Sequence, residues 1–144
     1  MNKIWYLVAD SSRARLLEAD GLRSPLTEVR DFVNPDDRLR EQDLVEGEPG
    51  RVMDRGHVGN YGLGEQGGAR KQATERFARE LCAALDEGSR QHHYAKLYIS
   101  AAPDVLGLIR HHLSPETRKR VDGELNLDIV RLPPQEIRKH FAAH

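Results

Sequence analysis

A single cysteine, Cys82, stands in 144 residues, so no disulfide can close within the chain, and such usage fits a reducing compartment. Long apolar runs are missing too. The N-terminal one, Ile4-Trp5-Tyr6-Leu7-Val8-Ala9, is too short for a signal peptide or a membrane span, and the expectation is a cytoplasmic protein with no membrane association. No excess of one charge is present either. Lys and Arg number 22 against 23 Asp and Glu, for a formal charge of −1. That balance excludes the global basic field of a dedicated nucleic-acid binder and confines any such contact to a local patch. A phosphate-cradling P-loop is also excluded, because no Lys-Ser or Lys-Thr pair follows the glycines.

What the chain does have is an uneven spread of glycine. Eight of its twelve glycines fall between Gly47 and Gly68, a composition that cannot bury apolar surface. Hydrophobic residues make up 38% and charged residues 31%, as expected for one domain, residues 1–144, diluted by a polar, glycine-rich loop at about 34–68. Around that loop the periodicities are clear. Ile4–Ala9 reads as a strand buried on both faces. Asp10-Ser11-Ser12 is turn chemistry. Arg13–Asp20 and Leu26–Val33 complete an antiparallel meander, which Asn34-Pro35-Asp36-Asp37 ends.

Behind the loop, Ala73, Phe77, Leu81, Ala84 and Leu85 share one helical stripe, with Lys71, Glu75, Arg76 and Arg79 facing away. Glu75 precedes Arg79 by four residues, the favourable order for a helix ion pair, and Gly88 reads as the C-terminal stop. Lys96–Ala101 is the next strand. Pro103 opens a helix to Leu113, and Ser114 caps a further helical piece with Glu116 in its first turn. Leu125–Val130 reads as the last strand, and Pro133-Pro134 opens a terminal helix to about Phe141. The order β-β-β-loop-α-β-α-β-α predicts a single α/β domain with a mixed sheet and flanking helices.

Several stretches resemble one bacterial family. Leu7-Val8-Ala9-Asp10-Ser11-Ser12-Arg13-Ala14-Arg15-Leu16-Leu17-Glu18 is similar to the start of the host attachment protein family. The resemblance continues at Glu48-Pro49-Gly50-Arg51-Val52-Met53-Asp54, Phe77-Ala78-Arg79-Glu80-Leu81, Leu97-Tyr98-Ile99-Ser100-Ala101-Ala102-Pro103 and Leu132-Pro133-Pro134-Gln135-Glu136-Ile137. That family in turn resembles the central domain of eukaryotic and archaeal peptide-chain release factors and of Pelota. The resemblance implies a ribonuclease H-like fold of the translational-machinery type and ribosome-linked work. Release factors carry a Gly-Gly-Gln loop ahead of a helix with a Phe-Ala-Arg run. Here the matching residues are Gln66-Gly67-Gly68 and Phe77-Ala78-Arg79, with the glutamine before the glycines, an order that does not reproduce the hydrolytic motif.

Three function classes follow. In the first, a non-catalytic factor contacts structured RNA or the ribosome. Arg51, Arg55, Arg70 and Lys71 would meet phosphates, Tyr61 or His57 would stack on a base, and Gln66, Gly67 and Gly68 would form the tip. Arg76 and Arg79 lie on the supporting helix. Interspersed acids (Glu41, Asp43, Glu46, Glu48, Asp54, Glu65) favour a plain solvated loop instead. In the second, the loop orders on a protein partner, or the chain is a homodimer. In the third, Asp10 and Asp104, with Glu75, hold magnesium for phosphodiester cleavage, against the alternative that both aspartates merely cap turns. No cofactor is expected. His92-His93 and His111-His112 point apart as neighbours and make no ready chelate, so no metal site is expected there. Cys82 reads as an inert core residue and Trp5 and Tyr6 as packing.

Overall fold

The computed structural model describes residues 2–35 and 49–142, and side chains over 2–35 and 68–142. Five strands, β1 (Ile4–Ala9), β2 (Arg13–Ala19), β3 (Thr27–Val33), β4 (Lys96–Ala101) and β5 (Val121–Leu125), form one sheet in the order β3-β2-β1-β4-β5. β2 runs antiparallel to both β1 and β3, whereas β4 is parallel to β1 and to β5. Only β2 is reversed. This is the mixed α/β sheet that the element order predicts, in the arrangement of ribonuclease H-like domains.

β1 sits at the centre because its residues are apolar in both phases. All six are at most 6% exposed. Trp5, Leu7 and Ala9 enter one core with Ala14, Leu16, Phe32, Leu97 and Ile99, covered by helices α1 (Pro49–Arg90) and α2 (Pro103–His112). The short α3 (Pro115–Arg120) precedes β5, and its capping Ser114 accepts from the Thr117 amide as its sequence predicts. Ile4, Tyr6 and Val8 enter the other core with Leu17, Leu26, Ile129, Val130 and Ile137, the last from α4 (Pro134–Ala142). Tyr6 stacks on Tyr98 with ring centroids 5.2 Å apart, and Phe141 of α4 packs against both rings.

Three expectations are corrected. The segment expected as a loop over 34–68 is helical from Pro49 onward: α1 is one 42-residue helix. Residues 36–48 lie outside the described ones. Proline is well placed at a helix start. A helix anchored by packing from Ala73 onward also extends at one hydrogen bond per added residue without a new nucleation cost. Local glycine content is therefore a weaker guide than continuity with the packed half.

Gly88 is not a stop. The helix runs on to Arg90, and the left-handed residue beyond it is His92 (φ 57°). Gly88 instead lets α1 approach the sheet, since a Cβ there would lie 2.5 Å from the Trp5 ring. The last strand is Val121–Leu125, not Leu125–Val130. Val-Asp-Gly-Glu-Leu has weak strand propensity, but Gly123 admits the Tyr98 ring, whose Cδ1 would meet a Cβ at 2.9 Å. Ile129 and Val130 are drawn into the second core instead. Tertiary packing overrides propensity here.

Two of the helical glycines, Gly88 and Gly107, should respond to alanine with opposite signs. A methyl group at Gly107 would meet nothing within 4 Å, so Gly107→Ala is expected to stabilise by about 0.5–1 kcal/mol. Gly88→Ala must displace Trp5 and is expected to cost about 1–3 kcal/mol. Urea unfolding of both variants checks this; a stabilised Gly88→Ala would contradict the close approach.

Candidate functional site

β1 leads into β2 on one side of the sheet, while β4 leads through α2 and α3 to β5 on the other. The chain thus departs in opposite directions from two adjacent parallel strands, and in such sheets a crevice opens at their carboxyl ends. One does so here. A cavity of about 670 Å³ is lined by Ser11 after β1, Asp104 and Leu108 from α2, and Arg70, Lys71, Thr74 and Glu75 from α1.

Each wall is held by identifiable contacts. The β1–β2 turn is closed by Asp10, whose Oδ1 accepts from the amides of Ser12 (2.8 Å) and Arg13 (2.9 Å). Asn34, buried at the end of β3, fastens that turn to the helix. Its amide donates to the Ser12 carbonyl at 2.9 Å, and its Nδ2 donates to Ser11 O at 2.9 Å and reaches Ala73 O at 3.5 Å. On α1, Thr74 donates to the Arg70 carbonyl. On α2, Asp104 lies in the first turn and accepts from the Val105 amide at 2.9 Å. The Glu75 carboxylate lies 3.6 Å from Arg79 and 3.4 Å from His112. Lys71, Glu75 and Arg79 succeed one another at four-residue spacing, so a charged stripe leads out of the crevice along α1.

Of the residues expected to touch RNA, Arg70 and Lys71 line the crevice, and Gly68, Arg76 and Arg79 are exposed on α1. Side chains of Arg51, Arg55, His57, Tyr61, Gln66 and Gly67 lie outside the described ones. Asp10 and Asp104 do follow neighbouring parallel strands, yet Asp10 closes its turn and Asp104 accepts from the adjacent Val105 amide. Among the described residues no three His, Cys, Asp or Glu side chains gather to hold a metal ion. His93 packs beside Trp5 and His112 beside Glu75. Ser11, Asn34, Thr74 and Leu108 are site residues that the sequence does not mark. Ser11 and Asn34 carry turn signals only, and Thr74 and Leu108 sit inside helices with nothing local to distinguish them.

The second described cavity, of about 460 Å³, runs along β5 and is lined by Arg110, Arg118, Asp122 and Glu124 among others. Its arginines are committed to Glu124 and to the carbonyls that end α2. Cys82 is no nucleophile. It is buried in the first core, its Sγ donates to the Ile109 carbonyl, and burial pushes its thiol pKa up to about 12.

This architecture defines a ribonuclease H-like α/β domain with a mixed-charge crevice at its strand ends. Residues 5–141 match the family model described as "Protein required for attachment to host cells", and the chain belongs to that family. No protein of curated function matches it. Among the described residues no helix is long and apolar enough to cross a membrane.

Cys82 is expected to resist iodoacetamide at pH 8 in the native protein and to react fully once unfolded in urea. Stoichiometric native labelling, read by mass spectrometry, would contradict its burial.

Proposed function

We propose that this protein is a non-catalytic, RNA-associated accessory factor working in the cytoplasm, which docks on structured RNA such as that of the ribosome. One observation carries the reading: Arg70 and Lys71 border the strand-end crevice at the point where the exposed Arg76 and Arg79 continue along the same long helix. The formal charge of the whole chain is near zero, so attraction for a polyanion must come from such a local patch. The similarity of Phe77-Ala78-Arg79, behind Gln66-Gly67-Gly68, to the loop and helix of release-factor central domains is the ground for taking ribosomal RNA as the partner. The glutamine's position ahead of the glycines argues for a docking role without peptidyl-tRNA hydrolysis.

Binding to ribosomes or to a structured RNA fragment is therefore expected to weaken steeply with salt. Lys71→Gln with Arg79→Gln should lower affinity and flatten the slope of log K against log salt by roughly one per lost phosphate contact. Co-sedimentation and filter binding measure both. Binding that ignores salt and both substitutions would contradict the proposal.

A second reading, a protein adaptor or homodimer, has one observation in its favour. β3 is an edge strand, and Val29 and Val33 on it, with Leu22 in the preceding turn, are 45%, 49% and 57% exposed. An uncovered apolar edge of this kind invites pairing. Light scattering at high concentration is expected to show a dimer that Val29→Lys dissociates; a strict monomer contradicts this reading.

A further inference from the structure

The crevice holds both signs of charge, and that narrows what it can bind. Arg70 and Lys71 suit any phosphate. Asp104 repels one. A carboxylate beside a phosphate site is tolerable when the ligand offers it a neutral donor, as the hydroxyls of a sugar do; this is how acidic residues read ribose hydroxyls next to a phosphate-binding helix. Asp104 spends its Oδ1 on the Val105 amide, and among the described residues its Oδ2 has no partner. Ser11, Thr74 and Leu108 complete the lining, with the Thr74 hydroxyl donating to the Arg70 carbonyl. At about 670 Å³ the space exceeds what a bare phosphate needs and falls within the range of about 300–1,000 Å³ usual for small-ligand sites.

We propose that the crevice is a ribose-phosphate subsite that takes one ribonucleotide unit. The phosphate lies against Arg70, Lys71 and Ser11, and the 2′-hydroxyl donates to Asp104. This deepens the RNA-associated reading and rests on it, because it gives the crevice a means to tell RNA from DNA where the helix face alone responds only to charge. An RNA strand and a free nucleotide share the pairing this site would read, a phosphate beside a 2′-hydroxyl.

Amide and methyl NMR titration of the full chain with ribose 5-phosphate and with 2-deoxyribose 5-phosphate tests this. Ribose 5-phosphate is expected to shift Ser11, Lys71, Thr74, Asp104 and Leu108, and to bind roughly tenfold tighter than the deoxy sugar, the size of a hydrogen bond to a charged group. Asp104→Ala should remove the preference while keeping phosphate-dependent binding, and Lys71→Gln should weaken both sugars alike. Competition by AMP and by an RNA hexamer separates the sources, and displacement by either one supports the subsite. Equal binding of the two sugars by the native chain would overturn the inference, as would shifts confined to other surfaces or no binding at all. Salt-dependent RNA binding that survives such a failure would leave the helix-face reading standing. Its loss alongside crevice binding of ribose 5-phosphate would sink that reading instead.

Discussion

Everything in this molecule hangs on the parallel pairing of β1 with β4. β1 contributes no charged side chain and buries all six of its residues, so it is stable only with a layer on each face and a strand on each edge. β2 takes one edge by a tight turn. The other edge must come from a distant strand, and the register Ile4↔Lys96 to Ala9↔Ala101 brings the two carboxyl ends level. That levelling places Ser11 and Asp104 on either side of a single opening. A slip of one residue would turn the apolar set of β4 to the wrong faces and dismantle both cores at once.

The helix that joins β3 to β4 across this frame has two jobs. Its C-terminal half is structural: Phe77, Leu81 and Leu85 fill the first core, and Gly88 allows contact with Trp5, which itself stacks on Tyr94 at 4.6 Å. Polar side chains outside the core fix its end, as where Arg120 donates to Ser89 Oγ and to the Tyr94 carbonyl. At Ala73 the helix meets Asn34, a buried side chain whose hydrogen bonds tie three elements together. Here packing hands over to the charged residues that line the crevice. A buried amide of this sort is costly to leave unpaired, so the positions of Ser11 and Thr74 are set from behind.

Much of this is legible in the sequence, for physical reasons that can be named. Strands with apolar residues in both phases, such as Ile4–Ala9, and a helix with Ala73, Phe77, Leu81 and Leu85 in one stripe have no better solution than the one they adopt. Ser114 and Glu116 announce their helix through local hydrogen bonding. What escapes is decided by partners far along the chain. Gly88 looks like a helix terminator until Trp5 is seen against it, and Val121–Leu125 looks like a loop until Tyr98 fills the space over Gly123. The glycines after Pro49 suggest a loop by composition, whereas the helix behind them governs the backbone. The charged part of the crevice is visible as charge beside the apolar stripe of α1 (Arg70, Lys71, Glu75) and after β4 (Asp104). Ser11, Thr74 and Leu108 are not, because only the crossing of three elements makes them neighbours.

The family's description speaks of attachment to host cells. The partner proposed for the strand-end crevice is a sugar-phosphate, on the ground that Arg70, Lys71, Ser11 and Asp104 line one opening. Ultraviolet cross-linking of the protein to a bound structured RNA, with the linked peptides sequenced, addresses that central claim most directly. The account predicts links in the peptides that carry Ser11, Lys71 and Leu108. Links confined to β3 or to α4, on surfaces away from the strand-end opening, would contradict it.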